Sequence, residues 1–199
     1  MSEISLKGAY ISPSKYDILF TGDWKDVTVD GYLEELTKLF YNSYPRLYQR
    51  WGNGTEPTTI TFKADNNYDG VAYCQGTTVC VSTKYANSHP KDIGFFSHEI
   101  THSVQQYSGK LNYGDDVAWW TENMANYGGF RYFHWSNPKY VQVYEATDTS
   151  LQDWGYEAYG NNKWFFSYMD SKYPTTKDSS GNVKYGLIDS LNHLLKDNK

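Results

Sequence analysis

No stretch of the 199-residue sequence approaches the eighteen or so consecutive apolar residues that a membrane-spanning helix needs, so no transmembrane segment is expected. Basic clusters are also missing, and the net charge of -5 argues against a nucleic-acid partner. Cysteine is scarce. Cys74 and Cys80 are the pair present, their spacing matches no zinc pattern, and no His lies near them. The start, Met1-Ser2-Glu3-Ile4, has neither a basic leader nor an apolar signal core. Internal repeats and low-complexity tracts are absent.

Aromatic side chains are abundant: 20 Tyr, 9 Phe and 7 Trp. Scattered through predicted helices, they read as core rather than as a sugar-stacking surface. The length fits one domain spanning 1–199, with its core at about 25–196. Residues 1–27 read as extended chain or strand. A helix follows from a cap at Asp30 through Leu33, Leu36, Leu39 and Phe40 towards Leu47, where Pro45 kinks or ends it. Thr58 to Phe62 alternates as a strand. Asp65 to Gly70 reads as a turn with local Asp and Asn bonds; an EF-hand is rejected because its twelfth position is Gly76.

Val71 to Ser82 reads as a β-hairpin. A three-residue turn, Gly76-Thr77-Thr78, would set Cys74 opposite Cys80 and allow a disulfide; a two-residue turn would separate them. The next helix runs from about Pro90 to Tyr107, with Ile93, Phe96, Ile100 and Val104 on its apolar face. Further helices are expected at about 116–134, 138–146, 160–171 and 184–196, with Ser179 to Asn182 as an exposed loop. Strands followed by helices predict an α+β fold: a small N-terminal mixed sheet with an edge hairpin, an active-site helix and a mostly helical C-terminal half.

The helix from Pro90 carries His98-Glu99-Ile100-Thr101-His102. Four residues is just over one turn, so both imidazoles project from one side, away from the apolar face, and can reach a single metal ion. Glu99 lies beside them, where it can take a proton from an activated water. This is the zinc-peptidase pattern. Catalytic zinc needs a third ligand, and Glu122 on the next helix, twenty residues after His102, suits the role as in glutamate-zincins. Asn126, one turn further, can reach the back nitrogen of a ligating His, where many glutamate-zincins have Asp.

These residues resemble the basic secretory protein family of plants and bacteria. The resemblance rests on Asp69-Gly70-Val71-Ala72-Tyr73, on Val81-Ser82, and on His98-Glu99-Ile100-Thr101-His102 followed three residues later by Gln105. It continues in Glu122-Asn123-Met124-Ala125-Asn126-Tyr127, in Trp154-Gly155-Tyr156-Glu157, and in a helix with Phe165 and Tyr168, covering about residues 25–195. Asn126 and the acidic net charge depart from the family.

The resemblance implies a zincin-like metallopeptidase, secreted, periplasmic or at the cell surface, whose signal peptide is not in this sequence. One Zn2+ per chain would be held by His98, His102 and Glu122, with Glu99 as general base. Tyr156 is the first candidate to hold the developing oxyanion, ahead of His134. Peptide or protein substrates are expected, on a chain expected to be monomeric. Val79 to Thr83 could pair with the substrate backbone as an edge strand. The rival readings are a catalytically weak or inactive zincin that binds a protein, and a glycan-binding module.

Overall fold

The computed structural model describes residues 15–107, 115–132 and 163–197. Alternating segments in the first half form strands β1 (Asp17–Gly22), β2 (Thr59–Asp65), β3 (Ala72–Gln75) and β4 (Thr78–Ser82), in one sheet of order β1-β2-β4-β3. β2 pairs in parallel with both β1 and β4, while β3 and β4 form the expected antiparallel hairpin. The period of two gathers Ile18, Phe20, Ile60, Phe62, Ala64, Val79 and Val81 on one face, and all are buried.

Parallel neighbours need a crossover, and α1 (Tyr32–Trp51) joins β1 to β2. It sets Phe40 against Phe62, with ring centroids 6.3 Å apart. α3 (Phe95–Gln105) brings Phe96 to the same ring at 5.0 Å. Most described aromatics of the sheet, α1 and α3 are thus core, as their scatter predicts, while Tyr73 on β3 is exposed. A short α2 (Thr83–Ser88), capped by Ser82 Oγ, precedes α3. Then come α4 (Asp115–Tyr132), α5 (Lys163–Lys172), the small hairpin β5 (Thr176–Lys177) and β6 (Val183–Lys184), and α6 (Leu187–Asp197). The architecture is α+β with a small mixed sheet. None of the described helices is long and apolar enough to cross a membrane. The helix expected at 138–146 lies outside the described residues.

Several expectations need correction. Pro45 does not end α1, which runs on to Trp51. Tyr44, Leu47 and Trp51 are fully buried there, and at about 1.5–3 kcal/mol per large apolar side chain their burial offsets the hydrogen bond that proline removes. α1 begins after Gly31 in the left-handed region (φ 70) rather than from an Asp30 cap. α3 is shorter than 90–107, because Pro90 to Gly94 turn before it.

The β3–β4 turn has two residues, Gly76 and Thr77, with Gly76 at φ 62. Cys74 therefore faces Val79, and Cys80 faces Tyr73. The two thiols sit on opposite faces of the sheet and are free, so the Cys74–Cys80 bridge does not form. The same topology makes β4 internal: among the described strands the edges are β1 and β3, and the edge of the hairpin belongs to β3, not to Val79–Thr83.

Two devices fix the helices that matter for the site. First, α3 and α4 approach closely at Gly128 and Gly129. A Cβ on Gly128 would lie 2.8 Å from Thr101 Oγ1, and one on Gly129 would lie 2.8 Å from Ser97 Oγ. Thr101 and Ser97 donate their hydroxyls back along α3, to Ser97 O and Gly94 O, so the contact buries no unpaired hydroxyl there. Second, the ammonium of Lys196 on α6 is buried and donates to Trp51 O (3.0 Å), Val104 O (2.6 Å) and Glu56. It thereby closes the carbonyl ends of α1 and α3.

Gly128→Ala is expected to destabilise by roughly 1–3 kcal/mol despite alanine's higher helix propensity. In a double-mutant cycle read by urea unfolding, Thr101→Ala should recover part of that loss, because the colliding methyl and hydroxyl are gone. Lys196→Met should cost about 3–5 kcal/mol by stranding the buried Glu56 carboxylate. Burial pushes Glu56 up, but the Lys196 bond and backbone N–H groups outweigh it and hold it below its usual 4.5. Its contribution is therefore full above pH about 4.5 and lost as pH falls through the lower folded value. Unfolding titrations of wild type against Lys196→Met should converge on acidification.

Candidate metal centre

The helical spacing acts as anticipated. On α3 the rings of His98 and His102 lie 4.7 Å apart at 84°, with their Nε2 atoms 3.1 Å from each other. α4, held close by its glycine pair, delivers Glu122. One carboxylate oxygen, Oε2, lies 3.0 Å from His98 Nε2 and 3.2 Å from His102 Nε2. The side chains of His98, His102 and Glu122 are 11, 16 and 17% exposed, so the cluster is largely buried with one side accessible.

The back of each ring has a partner. Asn126 Oδ1 lies 2.8 Å from His98 Nδ1, the contact anticipated from its place one turn after Glu122. Gln105 Oε1 lies 2.7 Å from His102 Nδ1. With Nδ1–H donated to an amide oxygen on each ring, both Nε2 atoms are turned towards Glu122. Together with a Glu122 oxygen they make a triangle with edges of 3.0–3.2 Å that could share a proton or hold a cation. Its edges lie just inside the 3.3–3.4 Å or so of a tetrahedral zinc with bonds of about 2.0–2.1 Å.

Glu99 is 8% exposed, and with His98 and His102 it forms a group whose ligand atoms all fall within 4.8 Å, able to hold a metal ion. Two carboxylates therefore adjoin the two imidazoles. Glu122 Oε2 lies 3.0 and 3.2 Å from the two rings, and Glu99 stands beside them as the second carboxylate. Burial raises Glu99 above its usual range; His98, His102 and a backbone N–H of Cys74 pull the other way without prevailing. Burial lowers His102, but Glu122, Glu99 and Gln105 outweigh it and hold the ring above its usual value. A divalent ion between these groups would reverse both directions.

Of the expected site residues, His98, Glu99, His102, Glu122 and Asn126 come together. Tyr156 and His134 lie outside the described residues. Cys74 stands nearby on β3, its thiol 3.2 Å from Ser103 Oγ and pushed up to about 12 by burial, so it is an inert thiol. Sequence reasoning gave Gln105 no role of its own. Its position three residues after His102, within reach along a helix, was the available signal. The Gly128-Gly129 pair was missed as well, and two adjacent glycines inside a helix were the clue.

Comparisons with known proteins add nothing to this geometry: no protein-family model, curated protein or solved structure matches the chain.

Asn126→Ala is expected to weaken divalent-metal binding about 10–100-fold, measured by competition with a chromophoric chelator. Asn126→Asp should tighten it while lowering the stability of the metal-free protein, since it adds a third carboxylate to a buried cluster.

Proposed function

We propose that the protein is a zinc metallopeptidase, with His98, His102 and Glu122 as ligands and Glu99 as general base. The observation that carries this reading is the convergence of two imidazole Nε2 atoms and a Glu122 oxygen within 3.0–3.2 Å, with a second carboxylate, Glu99, beside them. Imidazole and carboxylate donors favour zinc among divalent ions. Bound there, zinc would polarise a scissile carbonyl and lower the pKa of water to near neutrality.

Glu99 would accept the proton of the attacking water on a carboxylate oxygen and pass it to the leaving amine nitrogen. Its near-burial keeps that proton from bulk water. Asn126 and Gln105 would hold the imidazoles in the tautomer that presents Nε2. A substrate strand would lie along β3: pairs 71–82, 73–80 and 75–78 are bonded inside the hairpin, so the main-chain groups of Ala72 face the free edge, while the N–H of Cys74 is bonded to Glu99. Tyr156 is kept as the group proposed to hold the oxyanion. The zincin-like fold and the kinship with basic secretory proteins belong to this proposal, resting on the motif, the helix pair and the edge hairpin.

A second reading, a zincin that binds zinc and a partner without turnover, draws on the neutral Asn126 where a carboxylate is usual. A purely structural metal has no use for Glu99.

Elemental analysis should find about one zinc per chain in wild type and in Glu99→Gln. Cleavage of an unfolded protein substrate should fall roughly 100–10,000-fold in the variant. Zinc without cleavage in the wild type would favour the non-catalytic reading, and no uptake of supplied zinc would overturn both.

A further inference from the structure

Gln105 is the last residue of α3 and is 1% exposed. A buried amide must place both of its ends. Its Nε2 lies 3.1 Å from the backbone oxygen of Thr121 on α4, and a carbonyl can only accept. That fixes the NH2 end, so the end 2.7 Å from His102 Nδ1 is the oxygen. An oxygen there requires His102 Nδ1 to be the donor, which leaves Nε2 as the lone pair turned towards His98 and Glu122. Thr121 is the residue immediately before Glu122. One side chain therefore grips the ring of one ligand and the backbone next to another, across two helices.

We infer that Gln105 is a positioning residue that sets the tautomer of His102 and registers it against Glu122. The inference rests on the metal-site reading and not on peptidase activity. Asn126 lies behind the other ring, so the two amides hold different imidazoles. Gln105 spans from the His102 ring to the neighbouring helix through both ends of its amide.

Two variants separate the functions of the two ends. Gln105→Met keeps the volume and removes both bonds. Gln105→Glu keeps an acceptor for His102 but sets an oxygen against Thr121 O. Imidazole-directed 15N NMR on metal-free protein at alkaline pH, where the rings are neutral, reads the tautomer without any metal. The wild type should show His102 protonated at Nδ1, Gln105→Met a mixture of tautomers, and Gln105→Glu the wild-type tautomer. Zinc affinity by chelator competition should fall about 10–100-fold in Gln105→Met and be partly restored in Gln105→Glu. The visible spectrum of the cobalt-loaded protein should change in Gln105→Met, marking altered ligand placement rather than lost fold.

A wild-type tautomer and unchanged affinity in Gln105→Met would overturn the inference. If Gln105→Met fails to fold by circular dichroism, Gln105→Glu carries the test: a retained Nδ1–H supports the acceptor role, and its loss in that folded variant overturns it. A wild type that takes up no zinc, while its tautomer still depends on Gln105, would sink the metal reading and leave the positioning role standing.

Discussion

The contact on which the rest depends is the close approach of α3 and α4 at Gly128 and Gly129. Two of the three converging acceptors come from α3 and the third from α4, as do the two groups behind the imidazoles. Ordinary helix pairs sit 8–10 Å apart, with side chains setting the distance. Here the α4 backbone lies on the Thr101 and Ser97 side chains and the His98 amide, with no α4 side chain between. From that distance a carboxylate nearly two turns earlier on α4 reaches both imidazoles at 3.0–3.2 Å. Glycine is unfavourable in a helix by about 1 kcal/mol relative to alanine, and two in succession are tolerated because the closeness they permit is used.

That closeness is supported from outside the site. Arg50 at the end of α1 binds Asp170 on α5 and Asp189 on α6, both at 2.6 Å, and Tyr127, next to Asn126 on α4, donates to the same Asp170. Lys196 closes the end of α3 two residues beyond His102. The C-terminal helices thus act on the site by restricting where α3 and α4 can sit. A site built across two helices needs this, because a shift of an ångström between them would part Glu122 from the rings.

How legible this was differs by feature and for physical reasons. The His-Glu-x-x-His spacing, the Glu122 partner and the Asn126 contact were readable because helical periodicity maps sequence distance onto one face. The hairpin was readable too. The turn length was not, since Gly76-Thr77 and Gly76-Thr77-Thr78 are both reasonable turns, and one residue of slip decides whether Cys74 meets Cys80. Strand order was equally hidden: nothing local in Val79 to Thr83 says that β2 will cover it, because parallel pairing is settled by the crossover through α1. Pro45 misled because a local rule was outweighed by the burial of Tyr44, Leu47 and Trp51. Gln105 lay within the motif, but its meaning required knowing that α4 presents the oxygen of Thr121 to it.

The neutral Asn126 looks like a defect beside the carboxylate usual in glutamate-zincins, and the charge count argues otherwise. Glu99 and Glu122, when ionised, place two negative charges in a largely buried cluster, and two neutral imidazoles add none. A divalent ion, as proposed, would balance them. The groups behind the rings, Asn126 and Gln105, are both amides, so they orient without adding charge that burial would penalise. A carboxylate at either place would strengthen attraction for the ion and leave the metal-free cluster with an excess negative charge among buried side chains. On the metal-site reading, the amides would exchange some ligand basicity for a cluster that can fold without an ion. That arrangement suits a chain in which the closeness of two helices, rather than a charged brace, holds His98, His102 and Glu122 together.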